Sequence, residues 1–513
     1  MKNKILYVLL ISGVLSTLSG CEDALLTQPR AQLQDEQVLK DVASAQSFLN
    51  GCLSTLRDGG YYGREFVIFP ELLTDNTKLV NPGDRSGRGL NQSINLSGAH
   101  LNIWFIYRTI NRINRILEAI EDGEIVITSQ LDNVAITKIK AQALFLRGLM
   151  YFDLVRTYSY NPNYIIKNWD KGIPYLTESV RTKTEIPLPS RPTVVDTYEN
   201  IEADLLAAVD AFTATGSPDA SSPGTNAASN APSNARFVPT RAATYALLAR
   251  LYLYWGGPNN RDKYESAINY ANLAIASNFA SLSASGAALT TNWTTNTGAT
   301  ANPESIFEIN FASTAENLGG DNSLEGWYTR NVNASGARVT GWGDVIASDE
   351  LLADYEAADV RLTGLMQQAR RDFEPIASRE TRKYKSTGQF GQDNIPLIRL
   401  PEMYLILAEA HFYKATPDEA ASRAALNAIL GARTGSSAVG AGVTGTDLEN
   451  RIFLERRREL AFEGHRLFDM LRRGQALTKP GGSTIAYDDF RVLANVPLTE
   501  VQANPNLEQN PGY

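Results

Sequence analysis

The chain has 513 residues, of which 43% are hydrophobic, 20% charged and 9% aromatic. This is ordinary globular composition with length enough for a buried core, which excludes a disordered or fibrous protein. Its 48 basic residues against 56 acidic ones leave a formal net charge of −8. That disfavours nucleic acid as a partner, because phosphate contacts need clustered Lys and Arg. Three His and two Cys leave little material for a metal centre or a Cys–His nucleophile, and neither a metal nor a cofactor is expected.

Met1 to Lys4 is short and positive, and Ile5 to Leu18 is an almost unbroken apolar run. The run falls short of the ~20 residues a spanning helix needs, but suits a secretory signal peptide over 1–20. Leu18-Ser19-Gly20-Cys21 then reads as a bacterial lipobox, with Cys21 acylated through its sulfur. Residues 21–40 are expected to be a lipidated tether and 41–513 a single domain. Glu22 and Asp23 resemble an acidic export signal that carries lipoproteins to the outer face of the outer membrane. Membrane attachment is therefore expected through the lipid anchor only. The second thiol, Cys52, falls on one helical face with Ala45, Leu49 and Leu56 and reads as a small core residue. With Cys21 acylated, no intramolecular disulfide is expected.

Helical periodicity follows along the chain. In Thr137 to Tyr158, Ile139, Ala143, Leu146, Met150 and Leu154 recur at intervals of three and four. Arg241 to Trp255 and Tyr264 to Ala276 read as a helix pair broken by Gly256-Gly257-Pro258. Arg399 to Lys414 carries two apolar stripes, through Met403, Leu407 and Ala410 and through Leu405, Ala408 and Phe412. Such a helix is sandwiched between neighbours. Another helix is expected from near Pro417 to Leu430. These units look like tetratricopeptide-type hairpins, with small residues where helices approach closely. Insertions at about 211–236, 280–303, 312–349 and 431–447 are rich in Gly, Ser, Thr, Asn and Ala and read as surface loops. Glu304 to Phe311 has strand character. The expected fold is mainly α, with helical hairpins on one side and loop-rich insertions with minor β structure on the other.

Several local motifs recur in a recognisable order. Glu71-Leu72-Leu73-Thr74-Asp75-Asn76 comes first, then Trp104, Tyr107, Ile110, Asn111 and Asn114 on one helix. Arg147, Tyr151, Phe152, Asp153 and Tyr158 follow, then Leu400-Pro401-Glu402-Met403-Tyr404-Leu405 with Ala408-Glu409-Ala410. The run from Glu455 to Arg466 with Phe468, Asp469 and Arg472 precedes the close, Asn504-Pro505-Asn506-Leu507 and Gln509-Asn510-Pro511-Gly512-Tyr513. The ordered set resembles the RagB/SusD-like outer-membrane nutrient-binding lipoproteins. The resemblance implies a non-catalytic protein that binds oligosaccharides or, less often, peptides. It also implies a partner, a TonB-dependent outer-membrane barrel of the SusC type, on which the lipoprotein sits as a lid.

The charged run from Glu455 to Arg473 mixes carboxylates, Arg and His465, but Glu455–Arg458, Glu463–Arg466 and Asp469–Arg472 are all three apart. It reads as a structural ion-pair lattice rather than an active site. His100 and His411 have no neighbour at metal-ligand spacing, and no Walker A, G-x-S-x-G or H-E-x-x-H motif is present. A secreted hydrolase on a helical scaffold is the competing reading; any two carboxylates converging in space would serve it. Sugar recognition asks for aromatic faces with Asn, Asp or Arg beside them. Trp293, Trp327, Tyr328 and Trp342, in segments without helical period, are the expected platforms. Arg85 and Asn91, in the Gly/Asn-rich stretch before Trp104, are the expected hydrogen-bonding partners. Trp104 itself reads as packing.

Overall fold

The computed structural model describes residues 39–80, 101–215, 233–332, 338–368, 378–385 and 389–513. Cys21, the signal peptide and most of the tether lie outside these residues, as do Arg85 and Asn91. The described chain is mainly helical. α1 (Val42–Ser54) opens on a capping box: Asp41 accepts the Ser44 N–H at 2.8 Å while the Ser44 hydroxyl accepts the Asp41 N–H at 3.0 Å, satisfying two donors with no partner inside the helix. α2 (Glu65–Leu72), α3 (Tyr107–Glu121) and the 29-residue α4 (Gln130–Tyr158) follow. α5 (Val194–Ala214), α6 (Arg241–Trp255) and α7 (Lys263–Ala276) come next.

Packing order explains why the middle helices are apolar on two faces. α3 packs on α4, α4 on α5, α5 on α6, and α6 on α7. α7 then meets α10 (Leu400–Tyr413), which pairs with α11 (Glu419–Ala432) and touches α12 (Gly445–Leu460). The stack therefore continues from α7 to α10 across more than a hundred intervening residues. Ala45, Leu49 and Cys52 are fully buried and Leu56 nearly so. Burial drives the Cys52 thiol up to about 12.

Two insertions carry structure that their composition hides. Residues 280–303 contain α8 (Gly286–Thr294), and 312–349 contain a helical turn at Gly319–Asn322 and α9 (Leu324–Tyr328). The expected strand is β2 (Ser305–Ile309), antiparallel to β4 (Ile395–Arg399). β1 (Thr77–Leu79) pairs with β3 (Val345–Ala347).

The charged run is a lattice, but not along one helix. α12 stops at Leu460, Phe462 and Gly464 take left-handed backbone (φ 70° and 81°), and α13 spans Arg466–Leu471. A Cβ at Gly464 would sit 2.8 Å from the Phe66 carbonyl oxygen, so both space and conformation call for glycine. Glu455–Arg458 (3.6 Å) and Asp469–Arg472 (2.9 Å) pair as expected. Glu463 instead pairs with Lys383 and Arg399 (both 2.6 Å), and Arg466 with Asp75 (2.8 Å), because the bend turns them towards different neighbours. His465 is buried, and desolvation lowers it to about 3, so it is a neutral structural residue.

Candidate ligand-binding site

Of the four expected aromatic platforms, the structure buries two completely. Trp293 lies on α8, edge-on to Tyr384 at 5.9 Å, with the Lys383 ammonium and the Arg399 guanidinium each 5.2 Å from its ring. Tyr328 ends α9, stacked on Tyr384 at 5.8 Å and edge-on to Phe462 at 5.4 Å. Both belong to the core in this fold. Their partners are remote in sequence, so flanking Gly and Asn do not reveal which way the rings face. Trp327 is 6% exposed beneath the Arg64 guanidinium, 5.2 Å from its ring. Arg64 is itself held by Asn322 and Glu65, each at 2.6 Å.

Trp342 alone of the four keeps a half-exposed ring. The Trp342 backbone N–H donates to the Gly326 carbonyl at 2.7 Å, and Gly341 and Gly343 on either side have φ of 68° and 57°, which only glycine adopts without strain. A second half-exposed ring, Phe390, comes to the same place. A Cβ on Gly320 would lie 3.3 Å from Phe390 and 3.8 Å from the Trp342 indole nitrogen, so both rings converge on a glycine with no side chain to cover them. Asn317 fixes Phe390 by donating to its carbonyl. Phe390 went unnoticed in the sequence, although it is an isolated aromatic between Gly388 and Gly391, the same pattern that marked Trp342. Arg85 and Asn91 lie outside the described residues. Their stretch begins after Val80, whose N–H donates to the carbonyl of Asp344, two residues from Trp342.

Behind this surface sits a carboxyl pair. Glu325 accepts the Gly391 N–H at 2.8 Å and Asn331 at 3.3 Å. Burial first, and then the neighbouring Asp393 charge, raise Glu325 to about 8. At neutral pH it is a protonated, hydrogen-bonded acid that ties α9 to the Phe390 segment. Among the described residues, no group of three or more His, Cys, Asp or Glu side chains is placed to hold a metal ion.

A second concavity, a cleft of about 520 Å³, runs beside the first half of α3. Residues of the α3 motif build its floor. Tyr107 donates to the Pro174 carbonyl (2.7 Å), and Asn111 exchanges hydrogen bonds with Val180 (3.1 and 2.6 Å). Asn114 donates to Leu176 and Glu178 (2.9 and 3.2 Å). Trp104 meets Tyr158 edge-on at 5.0 Å and packs, as its helical context implied. The far wall is the 186–189 segment, fastened by Asn504 to Pro189 (2.9 Å) and Asn506 to Leu188 (2.7 Å).

Two family models match the chain, one described as the SusD family over residues 376–513 and one as "Starch-binding associating with outer membrane" over residues 85–253. A SusD-like protein of Formosa agariphila is 25% identical, with all of both chains covered, and a second from the same species is 24% identical over 99% of this chain and 98% of its own. Among solved structures, a putative sugar binding protein of Bacteroides vulgatus is 26% identical with a TM-score of 0.74, covering 93% of this chain and 99% of its own. A SusD superfamily protein of Bacteroides thetaiotaomicron is 25% identical with a TM-score of 0.75, covering 92% and 100%.

Proposed function

The chain belongs to the SusD/RagB-like family, and from that membership we propose that it is a cell-surface lipoprotein, anchored through Cys21, that captures oligosaccharides and delivers them to a TonB-dependent barrel of the SusC type. The observation that carries this reading is the match of residues 85–253 to a family described as starch-binding and associated with the outer membrane. No helix among the described residues is long and apolar enough to cross a membrane, which accords with attachment by lipid. We place the sugar on the Trp342–Phe390 surface, where half-exposed rings supply faces for a pyranose. Trp327 and Arg64 support it from beneath, and Arg85 and Asn91, outside the described residues, remain the proposed hydrogen-bonding partners. Trp293 and Tyr328 take no part, being core. The protein acts without catalysis in this reading. The carboxyl pair behind the surface is buried and mutually hydrogen-bonded, whereas glycosidases hold two carboxyls apart across the scissile bond. Calorimetry of the mature chain against a panel of oligosaccharides tests the proposal: micromolar to millimolar binding of at least one is expected. Binding of peptides with no glycan, or turnover of a polysaccharide, would overturn it.

A further inference from the structure

We propose that Glu325 and Asp393 are positioning residues of the ligand surface, two carboxyl groups that share one proton and through it hold the Phe390 and Trp342 segments together; this rests on the sugar surface proposed above. Glu325 accepts the N–H of Gly391, the residue after Phe390, at 2.8 Å. The carbonyl of Gly326, the residue after Glu325, accepts the N–H groups of Trp342 and Gly343 at 2.7 and 3.2 Å. Adjacent residues of α9 therefore hold the backbone beside both half-exposed rings.

The other half of the joint is anchored in the frame. Asp393 precedes Asn394, which is fully buried, donates to the Gly298 and Thr300 carbonyls (both 3.0 Å) and accepts the Phe311 N–H (3.0 Å). On its other side the Gln392 carbonyl accepts the Thr297 hydroxyl at 3.0 Å. Asp393 is thus fixed to the scaffold while Glu325 is fixed to the ring-bearing segments. Whatever passes between the two carboxyls decides whether those segments stay attached.

Glu325 is 5% and Asp393 7% exposed, hydrogen-bonded to each other and enclosed by Phe311, Leu324 and Ile395. Two carboxyls so placed keep a proton between them, because adjacent charges away from water repel. The other charged groups around them are Arg64 and Glu65 at the start of α2, Arg330 and Glu380 beyond α9, and Asp344 before β3. Arg64 bonds Glu65 and Asn322, and Glu380 accepts the Arg330 N–H. Burial, and then the Asp393 charge, raise Glu325 from 4.5 to about 8. If the segments detach, both carboxyls reach water and Glu325 ionises near its ordinary value. The attached form therefore binds one more proton between pH 4.5 and 8. Its advantage is fully present below that window, falls by about tenfold per pH unit through it, and stays low above it.

Hydrogen exchange on the purified full chain tests this, read in peptides covering 389–394 and 341–344 and corrected for the intrinsic pH dependence of exchange. Protection of both is expected to fall by about tenfold per unit between pH 5.5 and pH 8. Glu325→Gln keeps an acceptor for Gly391 and offers Asp393 an amide donor with no proton to lose, so its protection should stay level; Asp393→Asn should level it likewise. Oligosaccharide affinity of the parent chain should be about tenfold weaker at pH 9 than at pH 6, as a binding-competent fraction near one-tenth implies, and should hold in the Gln variant. Parental protection that ignores pH, or a Gln variant that loses protection as steeply as the parent, overturns the shared proton. Equal parental affinity at the two pH values overturns the positioning role. Falling protection in a chain that binds no oligosaccharide at either pH overturns the sugar surface and leaves the carboxyl joint standing.

Discussion

Glu459 sits at the centre of a buried charge lattice, and removing its charge alone should be costly. Its side chain is 3% exposed and accepts two bonds from Arg433 (2.8 and 2.7 Å), one from Arg399 (3.0 Å) and one from Arg361 (3.2 Å). Glu304, Glu455, Glu463 and Asp359 answer the same arginines on their other sides. Glu459→Gln removes the one carboxylate that all three arginines share and points amide donors at guanidinium donors. Each unit pair ~4 Å apart is worth about 4 kcal/mol at an effective dielectric of 20, offset in part because one fewer ion is desolvated. The expected net loss is about 3–5 kcal/mol, or about 5 °C in melting temperature for a chain this long. Replacing Glu459 and Arg433 together by Leu should cost less than Glu459→Gln alone, because an ion pair leaves as a unit and no amide donor is turned towards the remaining arginines. Acid gives an independent reading. Burial would raise the Glu459 carboxyl, but Arg433, Arg399 and Arg361 outweigh it and hold it well below the usual 4.5. A depressed carboxylate stabilises above its unfolded value and loses that contribution as pH falls, so the parent chain should weaken below about pH 4.5 and the Gln variant less. Denaturant midpoints across that range measure both effects. A Gln variant within about 1 kcal/mol of the parent would refute the hub.

Three further outcomes are expected. Lys479 is buried with no hydrogen-bond partner for its amine among the described residues, and desolvation with the nearby Arg491 charge lowers it to about 7. The unfolded chain binds the extra proton between pH 7 and 10.5, so Lys479→Met should stabilise by up to about 4 kcal/mol at pH 6, with the gain vanishing by pH 10.5; a flat difference across pH would contradict this. Trp342→Ala with Phe390→Ala should weaken oligosaccharide binding ~10- to 100-fold with little change in melting temperature, whereas Trp327→Ala should cost ~3–5 kcal/mol of stability; paired melts and titrations separate the two. Cys21→Ser should move the protein from the membrane to the soluble fraction with its fold intact, and a variant still membrane-bound would count against acylation.

Helices whose apolar residues recur over several turns were legible: Arg241–Trp255 is found with the bounds its pattern implied, and Lys263–Ala276 within a residue. α8 was not, because its nine residues bury only Leu289 and Trp293 among Thr, Ala and Gly, too few for a period to show. The bend after Leu460 was equally hidden. Phe462 in a left-handed conformation has no compositional signal, and the charges on either side keep a helical spacing. Trp293 and Tyr328 show the limit for the site. Composition separates irregular segments from regular ones, but the face a ring turns inward depends on Tyr384 and Phe462, about fifty residues or more away in the chain.

The ordered motifs turn out to encode the scaffold rather than the ligand. Glu71 accepts the N–H groups of Gly464 and His465 (2.9 and 3.2 Å), and Asp75 and Asn76 receive Arg466 and Arg457 (both 2.8 Å), so the early acidic motif is stapled to the late helix. Arg147 pairs with Asp204 (2.6 Å) and bonds Asn114 (2.9 Å), locking α4 to α5 and α3. Asn510 donates to the carbonyls of Tyr158 and Ala494 (2.9 and 2.7 Å) and accepts from Arg191 (2.8 Å), closing the C-terminus onto the end of α4. These bonds are buried or part-buried, several of them join early segments to the C-terminal ones, and removing one partner strands the other. Trp342 and Phe390 stand outside these motifs, their rings converging on Gly320. If the proposed sugar surface is right, ligand preference varies at these two positions while the motifs hold the framework, which is why the motifs identify the architecture and leave the sugar to be found by titration.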